Sequence, residues 1–155
     1  MLTVARANLD RAGIANAQVR QGDIFSPPVE RDAYDLVTIH QVLHYLDDPA
    51  RAVREAAKLL RPSGRLVIVD FAPHALEFLR AEHAHLRLGF SDRQIAEWFS
   101  QAGLDLEETQ QFEPRGGAEA GLTVKLWLGR DRRLLVADPV DETQSALGRP
   151  VGEVA

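Results

Sequence analysis

The feature that most restricts the fold of this 155-residue chain is a strand–helix–strand block over residues 34–70. Residues 34–40 read YDLVTIH, with Asp35 at the mouth of the run and LVTI almost continuously apolar. Such a stretch suits a strand buried on both faces, as in a parallel sheet. Asp47 and Asp48 precede Pro49, which combines an N-cap with a proline at the first helical position. Ala50, Val53, Ala57 and Leu60 then share one helical face, and Arg61-Pro62-Ser63-Gly64 ends the helix. Residues 65–70, RLVIVD, form a second strand. A helix of about twelve residues between two such strands makes a βαβ unit, whose strands are parallel.

The flanks extend this α/β pattern. Leu2, Ala5, Leu9 and Ala12 recur at helical spacing and Gly13 supplies a stop, so residues 2–12 read as a helix. No N-cap precedes Leu2, as if the helix began inside a longer segment. Residues 17–21 are expected to form a short strand ending at Gly22-Asp23, followed by a loop at Pro27-Pro28. Residues 75–86 read as a polar helix suited to a substrate lid. Ser91 with Gln94 forms a capping box for a helix through Ala102, with Ile95, Trp98 and Phe99 inward and Gly103 closing it. Residues 104–112 and 122–129 read as an antiparallel pair of late strands. We place a domain over 1–130 and a disordered tail over 131–155, where periodicity is lost.

Composition narrows the function. The net charge of -5 argues against a phosphate-backbone surface, since nucleic-acid binders carry a basic face. No cysteine is present, which excludes disulfides, cysteine zinc sites and a thiol nucleophile; a reducing cytoplasm fits. No run reaches the roughly 18 apolar residues of a membrane span. His74, Glu82, His83 and His85 suggest a metal, but His83 and His85 are two apart and point to different sides of a helix; no metal is expected.

Three stretches carry a family resemblance: Gly22-Asp23-Ile24, the block 34–71 with its Asp-Pro helix start and Arg-Pro-x-Gly turn, and residues 71–104. In this order they resemble class I S-adenosylmethionine-dependent methyltransferases from their second helix onward, and the third stretch resembles methyltransferase domains fused behind arsenic-repressor-type winged-helix regulators. The resemblance covers roughly residues 1–130 on the usual size of such domains. It implies a Rossmann-like sheet with helices on both faces, an antiparallel C-terminal strand pair, and S-adenosyl-L-methionine as cofactor. Ser63 stands where the family often has Gly. The family's glycine-rich cofactor turn and its first two strands have no counterpart here, so the resemblance implies an N-terminally truncated domain whose sheet has a gap; a homodimer could fill it. Nucleic acid would be contacted only through an upstream domain.

The resemblance also nominates residues. Gly22, Asp23 and Ile24 fall at the adenine-side motif: Asp23 would accept from the adenine amino group, or simply start a turn. His40 and Gln41 leave the end of the 34–40 strand, where open α/β sheets bind ligands, so they would border the methyl donor or the acceptor. His44, Tyr45, Asp70 and His74 are substrate-pocket candidates; His44 would face the acceptor or pack at the helix start, and Asp70 would line the pocket or cap the following segment. Methyl transfer is mainly a matter of positioning, so no catalytic residue is assigned. The function implied is methyl transfer to a small molecule, the alternative being a cofactor-sensing domain of a winged-helix regulator. A nicotinamide oxidoreductase suits neither the Arg-Pro-Ser-Gly turn nor the antiparallel terminal pair. Trp98, Phe99 and Trp127 read as core, and Arg130–Arg133 as a solvated strand end.

Overall fold

The computed structural model describes residues 2–116 and 121–134. In chain order the elements are α1 (Leu2–Arg11), β1 (Tyr34–His40), a 3-10 turn (Leu43–Tyr45), α2 (Pro49–Ala57), β2 (Leu60–Phe71), α3 (Phe78–His83), α4 (Asp92–Gln101), β3 (Leu104–Phe112) and β4 (Val124–Asp131). The sheet order is β1-β2-β4-β3. β1 lies parallel to β2, and β4 is antiparallel to both β2 and β3.

The βαβ block folds as its pattern requires. Asp48 caps α2 by accepting from the Arg51 N–H at 2.9 Å, Pro49 opens the helix, and Ala52, Val53, Ala56 and Ala57 are buried. α2 ends earlier than expected because Leu60 already pairs with Tyr34. The expected Arg61–Gly64 turn is instead absorbed into β2 as a bulge: pairing jumps from Tyr34–Leu60 to Leu36–Arg65. Ser63 takes a left-handed φ of 62° there, a conformation that glycine reaches without steric cost. A Cβ on Gly64 would sit 2.8 Å from the Arg61 carbonyl oxygen and 3.0 Å from that of Tyr34.

The core lies between the sheet and the pair α2 and α4, which touch each other. Ile39, Leu66, Ile68 and Trp127 from the strands meet Val53, Ala56, Ile95 and Phe99 from the helices. Gly129 admits the Phe99 ring, which a Cβ would approach to 2.7 Å. Ser91 caps α4 through the Gln94 N–H. Asp92 then pins the helix to the sheet, accepting from Trp127 Nε1 at 2.8 Å and from Lys125 Nζ at 2.5 Å. On the opposite face Val67, Val69, Leu126 and Leu128 are only partly buried. The outer edge of β1 is unpaired in the described sheet, with Leu36 53% exposed.

Three further expectations change. Residues 17–21 form no strand; the segment holds only an isolated bridge between Asp23 and Ser26. The 75–86 helix shrinks to Phe78–His83, because Ala84 turns left-handed at φ 55° and closes it. α1 forms but buries no residue. The boundary at 130 falls inside β4, and the charged run beyond it is anchored: the Arg133 guanidinium donates to Asp131, to Asp32 at 2.5 Å and to the Leu60 carbonyl at 2.6 Å. Residues 135–155 of the expected tail lie outside the described residues.

Relief of the left-handed penalty should outweigh loss of the 3.1 Å Ser63 Oγ–Arg133 carbonyl hydrogen bond. Ser63→Gly is therefore expected to raise stability by roughly 0.5–1 kcal/mol in denaturant unfolding. Asp92→Ala is expected to cost about 1–3 kcal/mol in the same measurement, since it strands the indole N–H of a buried tryptophan.

Candidate functional site

β1, β2 and β3 run in the same direction, so His40, Phe71 and Phe112 end at one edge of the sheet. This carboxyl end is where open α/β sheets hold ligands. Two hollows adjoin it. One, of ≈ 180 Å³, runs along β1 and is walled by Ile24, Pro27, Val37, His40, Val42 and Leu59. The other, of ≈ 680 Å³, lies above β2 and β3, among Ala72, His74, Leu76, Phe78, Gln111, Glu113 and Thr123.

Between β1 and β2 sits a buried polar group. Asp70 is wholly buried at the end of β2. Its Oδ1 contacts His44 Nδ1 at 2.7 Å and accepts from the Phe71 N–H at 2.9 Å, while Oδ2 accepts from the Leu43 N–H at 3.0 Å. With two backbone donors already on the carboxylate, His44 Nδ1 is the donor of that contact. Nε2 is buried without a partner among the described residues, as are His74 Nε2 and His85 Nδ1. Rings pack around His44: Tyr45 at 4.1 Å, His85 at 4.3 Å and Phe71 at 4.9 Å between centroids. The Leu86 and Arg87 N–H groups both donate to the His44 carbonyl, so residues 85–87 lie directly on it.

The nominated residues therefore separate into two groups. His44, Tyr45, Asp70 and, through Phe71, His74 come together. Asp70 does more than cap the following segment, since it ties β2 to the turn after β1. Ile24 and His40 line the smaller hollow. Gln41 stands at its rim with a left-handed φ of 55° and its N–H on the Val69 carbonyl. Asp23 is exposed and starts a turn, its Oδ1 accepting from the Phe25 N–H at 2.9 Å. Gly22 is required for a steric reason, as a Cβ there would lie 2.4 Å from the Pro28 ring. His85 was set aside with the metal reading but belongs to the His44 cluster. Only the fold reveals this, because α3 ends early and swings residue 85 back. Among the described residues no group of three or more His, Asp or Glu side chains could hold a metal ion, and no helix is long and apolar enough to cross a membrane.

A Rossmann-like half-sheet with ligand-sized hollows at its carboxyl end defines the class of protein. Residues 1–114 match the profile of a methyltransferase domain family, and the chain belongs to that family. It is 35% identical over 74 residues to the uncharacterized methyltransferase YcgJ of Bacillus subtilis, covering 47% of this chain and 29% of that protein. It is 34% identical over 73 residues to the ubiquinone/menaquinone biosynthesis C-methyltransferase UbiE of Idiomarina loihiensis, covering 46% and 29% respectively. The aligned stretches span about a third of the length of these curated relatives. The fold superposes on the crystal structure of YcgJ with a TM-score of 0.68 at 19% identity, over 86% of this chain and 79% of that one. It also superposes on phosphoethanolamine N-methyltransferase 2 of Haemonchus contortus, solved with S-adenosyl-L-methionine, with a TM-score of 0.69 at 14% identity over 84% and 41%.

Burial, reinforced by the charge of neighbouring histidines, holds both His74 and His85 below the ordinary imidazole value of 6.5. The unfolded chain therefore takes up protons at these residues before the folded one does. Their contribution to stability is complete above about pH 6.5 and falls as the pH drops through the folded values. Thermal unfolding followed between pH 8 and 5 should show Tm declining below pH 6.5, with a shallower decline in His85→Phe.

Proposed function

We propose that these residues form the adenine-side and acceptor-side walls of a site that transfers a methyl group from S-adenosyl-L-methionine to a small molecule. The supporting observation is the match to the methyltransferase family together with two separate hollows at the carboxyl end of one sheet. When bound, the donor supplies a methyl already activated on a sulfonium, so the protein's task is chiefly to hold two molecules in line.

The residues present suit the adenosyl end. Ile24, Val37, Val42 and Leu59 make an apolar slot for a flat heterocycle. Asp23, with one oxygen engaged by the Phe25 N–H, has the other available for an exocyclic amine. His40 lines the slot at the end of β1, and Gln41 follows it. The hollow of ≈ 680 Å³ over β2 falls within the usual size of small-molecule pockets, and Gln111, Glu113 and His74 offer the few polar groups that orient a ligand. The free edge of β1 supports a shared site, in which further strands from elsewhere in the protein or from a second copy pair with Tyr34–His40. An apolar edge of this kind is a template for strand addition.

Calorimetry with S-adenosyl-L-methionine on the 155-residue chain tests this. Binding on the order of 1 mM is expected, as half a site should give, weakened about five- to tenfold by Asp23→Ala through loss of one charged hydrogen bond. Absence of binding, or an Asp23→Ala affinity equal to wild type, would overturn the assignment of the slot. Micromolar binding by the monomer would overturn the shared site.

A further inference from the structure

We propose that the hollow over β2 takes an acceptor with a cationic amino group, held by Glu113, on an apolar body, held by Leu76 and Phe78. This rests on the methyltransferase reading and deepens it by naming the class of acceptor.

The charge of the hollow comes from one residue. Among the described residues that wall it, Glu113 is the one carboxylate, and no lysine or arginine stands with it. The carboxylate is fixed but not neutralised: Oε1 accepts from Gln111 Nε2 at 2.5 Å and Oε2 from Thr123 Oγ1 at 3.1 Å. Both donors are uncharged, and each carboxylate oxygen keeps capacity for a further donor. Glu113 and Thr123 directly flank the last pair of β3 with β4, Phe112 opposite Val124, so the sheet itself sets where the carboxylate stands. An uncharged amide could accept from the same hairpin donors, which leaves the negative charge surplus to the fold.

Nothing on the neighbouring elements cancels that charge. Arg80 of α3 pairs with Glu77, and Lys125 of β4 pairs with Asp92. His74, on the wall of the hollow, adds no opposing charge at neutral pH, because burial holds its ring below the ordinary imidazole value. The remaining wall is apolar and open to solvent: Leu76 is 37% and Phe78 49% exposed. A phenyl face attracts a cation as well as covering hydrocarbon. A volume of ≈ 680 Å³ admits a small organic molecule with both parts. An anionic ligand would meet Glu113 with no cation to offset it, and a neutral one would gain nothing from the charge.

The test compares three probes of similar size on the 155-residue chain, followed by amide shifts in nitrogen-15 NMR. Phenethylamine is protonated at neutral pH, phenethyl alcohol is neutral and hydrocinnamate is an anion. The amine is expected to bind about five- to tenfold tighter than the alcohol, with shifts at Leu76, Gln111 and Thr123, and the anion more weakly than either. Glu113→Gln should bring amine and alcohol within about twofold of each other. In wild type the preference for the amine should shrink as salt is raised, a readout that needs no variant. Equal binding of amine and alcohol, a preference that survives Glu113→Gln or high salt, or binding of neither probe overturns the proposal. No cofactor is needed, so the two readings fail separately. If the amine is preferred as expected but S-adenosyl-L-methionine does not bind, the methyltransferase reading fails and the ligand class stands. If the cofactor binds and the probes are not told apart, the ligand class alone fails.

Discussion

Parallel pairing of β1 with β2 fixes the rest of the site. With His40 opposite Val69, the turn after β1 must lie beside the end of β2, so Asp70 meets Leu43 and His44 although 26 or 27 residues separate them. An antiparallel arrangement would put the two strand ends on opposite edges. The register is in turn set by the bulge at Arg61–Gly64, since residues 61–64 drop out of the pairing and bring Arg65 opposite Leu36. The strained Ser63 and the sterically obligatory Gly64 thus act at a distance on the buried dyad. A one-residue change of register would reverse which side chains face α2 and α4.

The two ends of the sheet are built from different interactions. At the amino end of β1 and β2, Arg133 joins Asp131, Asp32 and the Leu60 carbonyl, and Arg61 pairs with Asp35. Burial works against ionisation of Asp131, but the hydrogen bonds and charge of Arg133 outweigh it and keep the carboxyl below its ordinary range. Exposed ion pairs contribute up to about 1 kcal/mol each, so this end owes its order to several acting together. At the carboxyl end the polar groups are buried histidines among aromatic rings, two of them held toward neutrality. Charged contacts secure the frame at one end, while at the other the hollow over β2 is lined by His74, Gln111, Glu113 and Thr123.

How much of this was legible in the sequence follows from range. The strand 34–40 and the strand 104–112 were found with their observed limits, and the caps at Asp48 and Ser91 were located, because period and capping chemistry act over a few residues. The 17–21 strand failed because β-propensity is realised only against a partner strand, and the described sheet ends at β1. The 75–86 helix failed at its end because polar residues on most faces gave it no packed side, and a left-handed Ala84 could close it. Topology alone put the nominated strand-end residues at the carboxyl edge of the sheet, and His40 and Asp70 lie at that edge. That Asp70 is wholly buried, that it holds His44, and that His85 completes the cluster depend on contacts made across 14 to 41 residues, which no local pattern encodes. Arg133 was missed for the same reason: in sequence it is one of several charges at a strand end, and only the fold brings Asp32 to it.

His44 has a double attachment that fixes the turn after β1 to the sheet. Its side chain is bound to the sheet through Asp70, and its carbonyl receives two N–H groups from residues 86 and 87. The ring is thereby held against both the frame and the segment that bounds the acceptor hollow. His40 is exposed at the end of β1 and lines the smaller hollow. A group already ordered and stripped of water carries that cost in the folded protein, where it is met by the packing of the fold and not drawn from the binding of substrate. The family's chemistry requires little more than placement, and at this edge placement is the work of the pairing of β1 with β2.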